Sequence, residues 1–221
     1  MTNFAAAHIN MVECQIRPNR VTDGRLIDAM KAVPRELFVP EGLQGIAYFD
    51  GGMPVNANRR LLEPMLLARM IQAAEIAPND LVLDIGCATG YSSAILARLA
   101  RAVVALEVDT DLFDFATKAL AAQLVDSALP IKAQLAAGHP AKAPYDVILI
   151  NGAVAEVPEE VLTQLADGGR LVTVVACKHA IARMGRVMLF RRTGPMVSST
   201  TLFEAAAPMM PGFEFKRGFA F

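Results

Sequence analysis

VLDIGCATGYSSAIL, residues 82–96, decides the fold. A short apolar run ends on Asp84, Gly86 and Gly90 flank a tight turn, and a helical pattern begins near Gly90. A strand that passes into a helix in this way leaves free backbone N–H groups and the positive end of a helix dipole at the turn. Outward from it the rhythm repeats. LVLDI (81–85), AVVALEV (102–108), PIKAQL (130–135), DVILI (146–150) and GRLVTVV (169–175) are short apolar runs, mostly separated by helical stretches. That alternation predicts an α/β protein with a doubly wound, mostly parallel sheet covered on both faces. RVMLFRR and SSTTLFE, either side of the turn TGP, read as two further strands that close an edge, antiparallel to each other.

Ahead of residue 79 the pattern is helical. MTNFAAAHINMVECQIRP is an amphipathic helix with Phe4, Met11 and Val12 on one stripe, stopped by Pro18. TDGRLIDAMKAV follows with Thr22 as its cap, then PRELFVP as a turn, then EPMLLARMIQAAEI as a helix opening at Pro64. Residues 1–78 are thus expected to form an N-terminal helical cap and 79–221 an α/β core, packed as one unit. The aromatic ending PMMPGFEFKRGFAF has no assigned place.

Composition limits the function classes. The chain has 221 residues, a formal charge of -1 and 19% charged residues, so no basic surplus points to nucleic acid. The hydrophobic fraction of 54% contains no run long enough for a bilayer, and no export signal is read at the N-terminus. Cys14, Cys87 and Cys177 are far apart and outside any CxxC pair, which fits reduced thiols in the cytoplasm and no zinc site. His8, His139 and His179 are equally scattered; His8 and His179 read as structural or solvated.

Ligands of open α/β sheets sit beyond the carboxyl ends of the strands, so the glycine turn is the first candidate site. A dinucleotide fingerprint places Ala88 and Tyr91 where its second and third glycines belong, and the phosphate loop ending in Gly-Lys-Ser/Thr is absent. D-x-G-x-A-x-G instead resembles the pattern of S-adenosylmethionine (SAM) methyltransferases. Glu107, 21 positions after Gly86 at the end of the next strand, stands where an acid reaches ribose hydroxyls. Cys87, inside the turn with no His in register, reads as a small filler and not a nucleophile.

The segments GRLIDAMKAVPRELFVP, AY-x-D at 47–50, the loop ending at Pro64, VLDIGCATGY, KAPYDVILINGA and LADGGRLVTVV together resemble the protein-L-isoaspartate O-methyltransferases. These methylate the abnormal isoaspartyl carboxylate of aged proteins. The resemblance implies a Rossmann-like SAM methyltransferase acting on a peptide or protein, with oligomeric state unspecified. It places Asp84, Gly86, Cys87, Ala88 and Gly90 around the methionine part of the cofactor, and Glu107 with Val108 at the ribose. Gly138 and His139, in AAGHP, fall where the family has G-D-G at the adenine.

The acceptor loop departs from the family. The family's PLPIG-x-GQTIS-x-P aligns with GMPVNANRRLLEP, residues 52–64, so Asn56 and Asn58 replace glycines and Arg59 a Gln. Arg60 and Leu62 replace the Thr and Ser at the acceptor. Asn58, Arg59, Arg60 and Asn151 are the acceptor-side candidates. An arginine here offers paired hydrogen bonds to an anionic acceptor, either an isoaspartyl peptide or a small anionic metabolite. In the alternative, one arginine is solvated and the other ties the loop down through Asp50 or Glu63. Asn151 is either a cleft residue or half of an Asn-Gly turn. Leu62 is expected in the core.

Overall fold

The structure is a computed structural model that describes residues 3–178 and 184–215; His179 lies outside the described residues. Its centre is a seven-stranded sheet ordered β5-β4-β3-β6-β7-β8-β9. The strands are β3 (Leu81–Ile85), β4 (Ala102–Glu107), β5 (Ala128–Lys132), β6 (Tyr145–Val154), β7 (Leu165–Ala176), β8 (Met184–Thr193) and β9 (Met196–Ala206). β3 to β7 are parallel, while β8 and β9 run antiparallel as the closing hairpin. β4 lies on one side of β3 and β6 on the other, so the strand order reverses there and opens a crevice beyond their carboxyl ends.

The helices are α1 (Phe4–Asn10), α2 (Gly24–Ala32), α3 (Pro64–Ala73), α4 (Tyr91–Leu96), α5 (Thr110–Ala122) and α6 (Glu159–Leu162). Sequence patterning places most elements and misplaces some ends. The strand read at 130–135 starts and stops earlier, at Ala128–Lys132, because the chain tightens into a 3-10 turn at Leu135–Ala137. The strand read at 146–150 extends through Asn151-Gly152 to Val154 with a register shift, so this Asn-Gly pair makes no turn. Asp23, not Thr22, caps α2: its carboxylate accepts from the amides of Arg25 and Leu26 at 2.9 and 3.4 Å. The Thr22 amide is held instead by the Gln72 side chain at 2.6 Å. α1 continues past Asn10 as a wider π-helical turn, Met11–Ile16, and a 3-10 turn containing Pro18 ends it.

Helical cap and core share one hydrophobic cluster, running from Met11, Leu26, Phe38 and Leu66 to Val82, Tyr91, Val147 and Val187. α2 buries Leu26, Ile27 and Met30, the stripe expected from an amphipathic helix. Polar ties cross the same boundary or brace the cap from within. The Thr89 hydroxyl donates to Phe38 O at 2.5 Å. Arg35, fully buried, donates from Nε to Ala47 O at 3.0 Å and from Nη2 to Leu62 O at 2.8 Å. Its guanidinium carbon lies 4.7 Å from the Tyr91 ring centroid, a cation–π contact with the first residue of α4.

Leu62 is buried, as its apolar character predicts, and its carbonyl is the end of the acceptor loop that Arg35 grips. Substituting Arg35→Leu leaves two buried carbonyls without donors and is expected to lower stability by about 2 to 4 kcal/mol. Urea unfolding measures this; an unchanged midpoint and slope would contradict the role given to Arg35.

Candidate active site

The glycine turn has the backbone its sequence calls for. Gly86 and Gly90 lie at φ 74° and 93°, and Ala88 between them at 52°, so the turn is left-handed at alternate residues. Gly86 N and Cys87 N donate to Leu106 O at 2.8 and 3.1 Å, which fastens the turn to the end of β4.

Glu107, the last residue of β4, is completely buried and held by four donors. Its Oε1 accepts from Val108 N at 2.8 Å, Asp109 N at 3.1 Å and Arg59 Nη1 at 2.6 Å. Its Oε2 accepts from Ala88 N at 2.8 Å. Arg59 Nη2 donates to Gly86 O at 3.0 Å, so one guanidinium bridges the carboxylate and the turn. Arg59 does tie the loop to the core, but through Glu107 and not through Asp50 or Glu63.

The loop is built to deliver that side chain. β1 (Met53–Pro54) and β2 (Arg60–Leu61) form a two-stranded ribbon. At its tip Asn56 Oδ1 accepts from the amides of Asn58 and Arg59 at 2.9 and 2.8 Å. Asn56 Nδ2 then donates to Asp109 Oδ2 at 3.1 Å, docking the tip on the residue that caps α5. Asn58 and Arg60 are exposed; Arg60 Nη1 donates to Gly52 O at 2.9 Å. Asn58 borders an open cavity of about 350 Å³ with Ala153, Cys177 and Pro208.

Asp84 faces inward. Its carboxylate accepts from Ser92 Oγ at 2.7 Å, Ser93 Oγ at 2.5 Å and the Asn151 side-chain amide. Burial pushes its pKa up to about 6, against the three hydrogen bonds, which favour the charged form; the Glu107 charge adds to the rise. Asn151 is therefore a buried partner of Asp84. Ser92 and Ser93, which sequence reasoning passed over, occupy the first turn of α4. Their signal was two hydroxyls eight and nine positions after a strand-ending acid.

Gly138, at φ 62°, carries no side chain because a Cβ there would lie 2.6 Å from Gln164 Oε1. That oxygen accepts from His139 N at 2.8 Å, and Gln164 Nε2 donates to Ala137 O and Glu160 O, each at 2.8 Å. Gln164, also unmarked by any motif, thus sets the path of AAGHP. Cys87 is buried, and burial followed by the Asp84 and Glu107 charges pushes its thiol pKa well up.

Above the turn lies a residue from the far end of the chain. Residues 207–213 pair with the end of β6: Ala153 N donates to Pro208 O at 2.7 Å, Met210 N to Ala153 O at 2.8 Å and Ala155 N to Phe213 O at 2.9 Å. Met210, buried, is thereby pressed onto the glycines. A Cβ on Gly86 would come within 2.6 Å of Met210 Sδ, and one on Gly152 within 2.8 Å of Met210 Cε. Between the turn, Arg60, Leu61 and Asn151 about 10 Å³ remains. That is room for roughly one water molecule. The groups here match a nucleoside ligand in kind, with a strand-end carboxylate beside a glycine turn; Arg59 is bonded to both, and Met210 lies against Gly86.

A doubly wound sheet with a glycine turn and a strand-end acid at its switch point defines the Rossmann-like fold of class I methyltransferases. The family model described as protein-L-isoaspartate(D-aspartate) O-methyltransferase matches residues 7–202, and the chain belongs to that family. A protein-L-isoaspartate O-methyltransferase of Methanoculleus marisnigri is 38% identical over 183 residues, 80% of this chain and 83% of that protein. One from Methylorubrum extorquens is 39% identical over 174 residues, 77% and 75% of the two chains. A solved protein-L-isoaspartate O-methyltransferase superposes with a TM-score of 0.79 at 24% identity, over 93% of this chain and 66% of its own. A putative one from Plasmodium falciparum, in complex with S-adenosyl-L-homocysteine, gives 0.76 at 17% identity, over 91% and 97%. At such identities the two structures speak for the fold.

Two measurements check this site. Asp84 titrates near 6 when folded and near 3.8 when unfolded, so the folded state holds a proton that the unfolded state has released between those values. Stability is then expected to rise as pH falls through that window, by at most roughly 3 kcal/mol, and to fall as pH rises through it. The difference between wild type and Asp84→Asn isolates this contribution; parallel curves from pH 4 to 6.5 would remove it. Thiol titration provides the second check, with Cys14 and Cys177 exposed and Cys87 buried. Cys14 and Cys177 should react in the native protein and Cys87 only after unfolding.

Proposed function

We propose that this chain transfers a methyl group from SAM to the free carboxylate of an isoaspartyl residue in a peptide or protein, as a repair activity in the cytoplasm. The observation that carries the reading is the buried Glu107 carboxylate beside the Gly86–Gly90 turn at the sheet's switch point, inside a family match that spans most of the chain. In this reading Glu107 holds the ribose, the Gly86–Gly90 turn lies around the methionine part, and Gly138 with His139 lies at the adenine rim. Exposed Cys14 and Cys177 suit a reducing compartment, and among the described residues no helix is long and apolar enough to cross a membrane.

When bound, SAM supplies an electrophilic sulfonium methyl. A carboxylate acceptor, with an unperturbed pKa of about 3.9, is ionised at neutral pH and needs no general base. The chain's task is then to orient the acceptor and to exclude water. Asp84 and Asn151, bonded to each other beneath the turn, serve as its foundation and move no proton. Arg60, exposed with one hydrogen bond to Gly52 O, has guanidinium donors left for an anionic acceptor where the family carries a hydroxyl.

Labelled-methyl transfer from SAM to an isoaspartyl peptide, beside the same sequence with normal aspartate, tests the reading. Base-labile label is expected on the isoaspartyl peptide alone. Equal label on both peptides, or none on either, overturns the proposed acceptor.

A further inference from the structure

Resting on the reading that SAM is the cofactor, we propose that Arg59 governs cofactor access: its guanidinium competes with the cofactor for Glu107, and with Met210 it must leave the glycine turn before a nucleoside enters. Three observations converge on this. Arg59 Nη1 lies 2.6 Å from Glu107 Oε1 while Nη2 caps Gly86 O, so the guanidinium occupies both polar surfaces that face the switch-point crevice. Met210 lies against Gly86, at the start of the turn. The cavity under Gly86–Ala88, bounded by Arg60, Leu61 and Asn151, holds about 10 Å³, whereas sites for ligands of this class hold about 300 to 1,000 Å³.

Both blocking side chains sit on pieces of structure that can move without unfolding the sheet. Arg59 is on a ribbon of two residues per strand, and Met210 is on a segment joined to the sheet through the end of β6. Such peripheral elements open at lower free energy than core strands. Opening also leaves Glu107 compensated, because the amides of Ala88, Val108 and Asp109 stay bonded to it. A ligand that binds only the open state has its apparent affinity reduced by the open fraction, so removing either blocker should tighten binding.

The test is calorimetric titration of SAM into full-length wild type, Arg59→Gln, Met210→Ala and the double variant, with Arg191→Gln, from the exposed pair with Glu75, as control. Native circular dichroism is checked for each. Arg59→Gln and Met210→Ala are each expected to bind at least tenfold more tightly than wild type, and the control to match wild type. Hydrogen exchange gives a second readout: saturating SAM should deprotect the Met210 amide, now bonded to Ala153 O. If wild type binds SAM and folded Arg59→Gln binds no more tightly, the competition is refuted and the cofactor reading stands. If no folded variant, the double variant included, binds millimolar SAM, the cofactor reading itself fails and takes this inference with it. Should Arg59→Gln not fold, Met210→Ala and the exchange of the Met210 amide decide in its place.

Discussion

A carboxylate buried at the end of β4 sets the arrangement of everything around the crevice. Glu107 has no exposed surface, and an ionised group so placed is tolerated only if donors surround it. Four do, from the strand's own continuation, the glycine turn and the acceptor loop. Three segments distant in sequence therefore meet because one charge requires them. The amides come with the fold, since the turn after β3 and the entry to α5 lie beside β4 in any sheet of this order. The guanidinium does not; it is delivered by the acceptor loop, 48 residues earlier in the chain, and completes the shell of donors.

A second arginine braces the acceptor loop from inside the helical cap. Arg35 serves the Ala47 and Leu62 carbonyls and lies against Tyr91, so the loop that carries Arg59 is anchored at its base before its tip reaches Glu107. Burying a guanidinium is expensive, and desolvation holds the Arg35 pKa below its usual value. The gain is geometric. In the closed crevice the contacts at Leu62 and between Asn56 and Asp109 point Arg59 at Glu107.

How much of this was legible in the sequence depends on the range of each interaction. The β3 turn, the parallel strands and the terminal hairpin show as local periodicity and glycine placement, and they stand where expected. Glu107 was found because its spacing from Gly86 follows from the fold's own geometry. Gln164 was missed because it acts between elements with no fixed offset, and Ser92 and Ser93 because their offset from Asp84 spans the turn and stands out only once the turn's path is known. Asp23 caps α2 in place of Thr22 because the helix begins one residue later, at Gly24, while Gln72, some 50 residues away, accepts from the amides of both. Arg59 was singled out, but as a hand for the acceptor or a tie to Asp50 or Glu63. The strand-end acid it binds lies 48 residues further on.

Met210 is the clearest case of information the linear sequence withholds. It lies in an aromatic, turn-rich ending with no periodicity, yet its side chain rests on Gly86, just past β3, and on Gly152, within β6. Those glycines carry a double constraint. Gly86 needs a left-handed backbone for the turn, and both need a bare face, because a Cβ at either would overlap Met210. A glycine turn is usually read as space reserved for a ligand. Here the same space is also complementary to the chain's own thioether and guanidinium. On the proposed placement of the cofactor the two packings exclude each other, so the free energy that stabilises the closed crevice is subtracted from the affinity of whatever opens it.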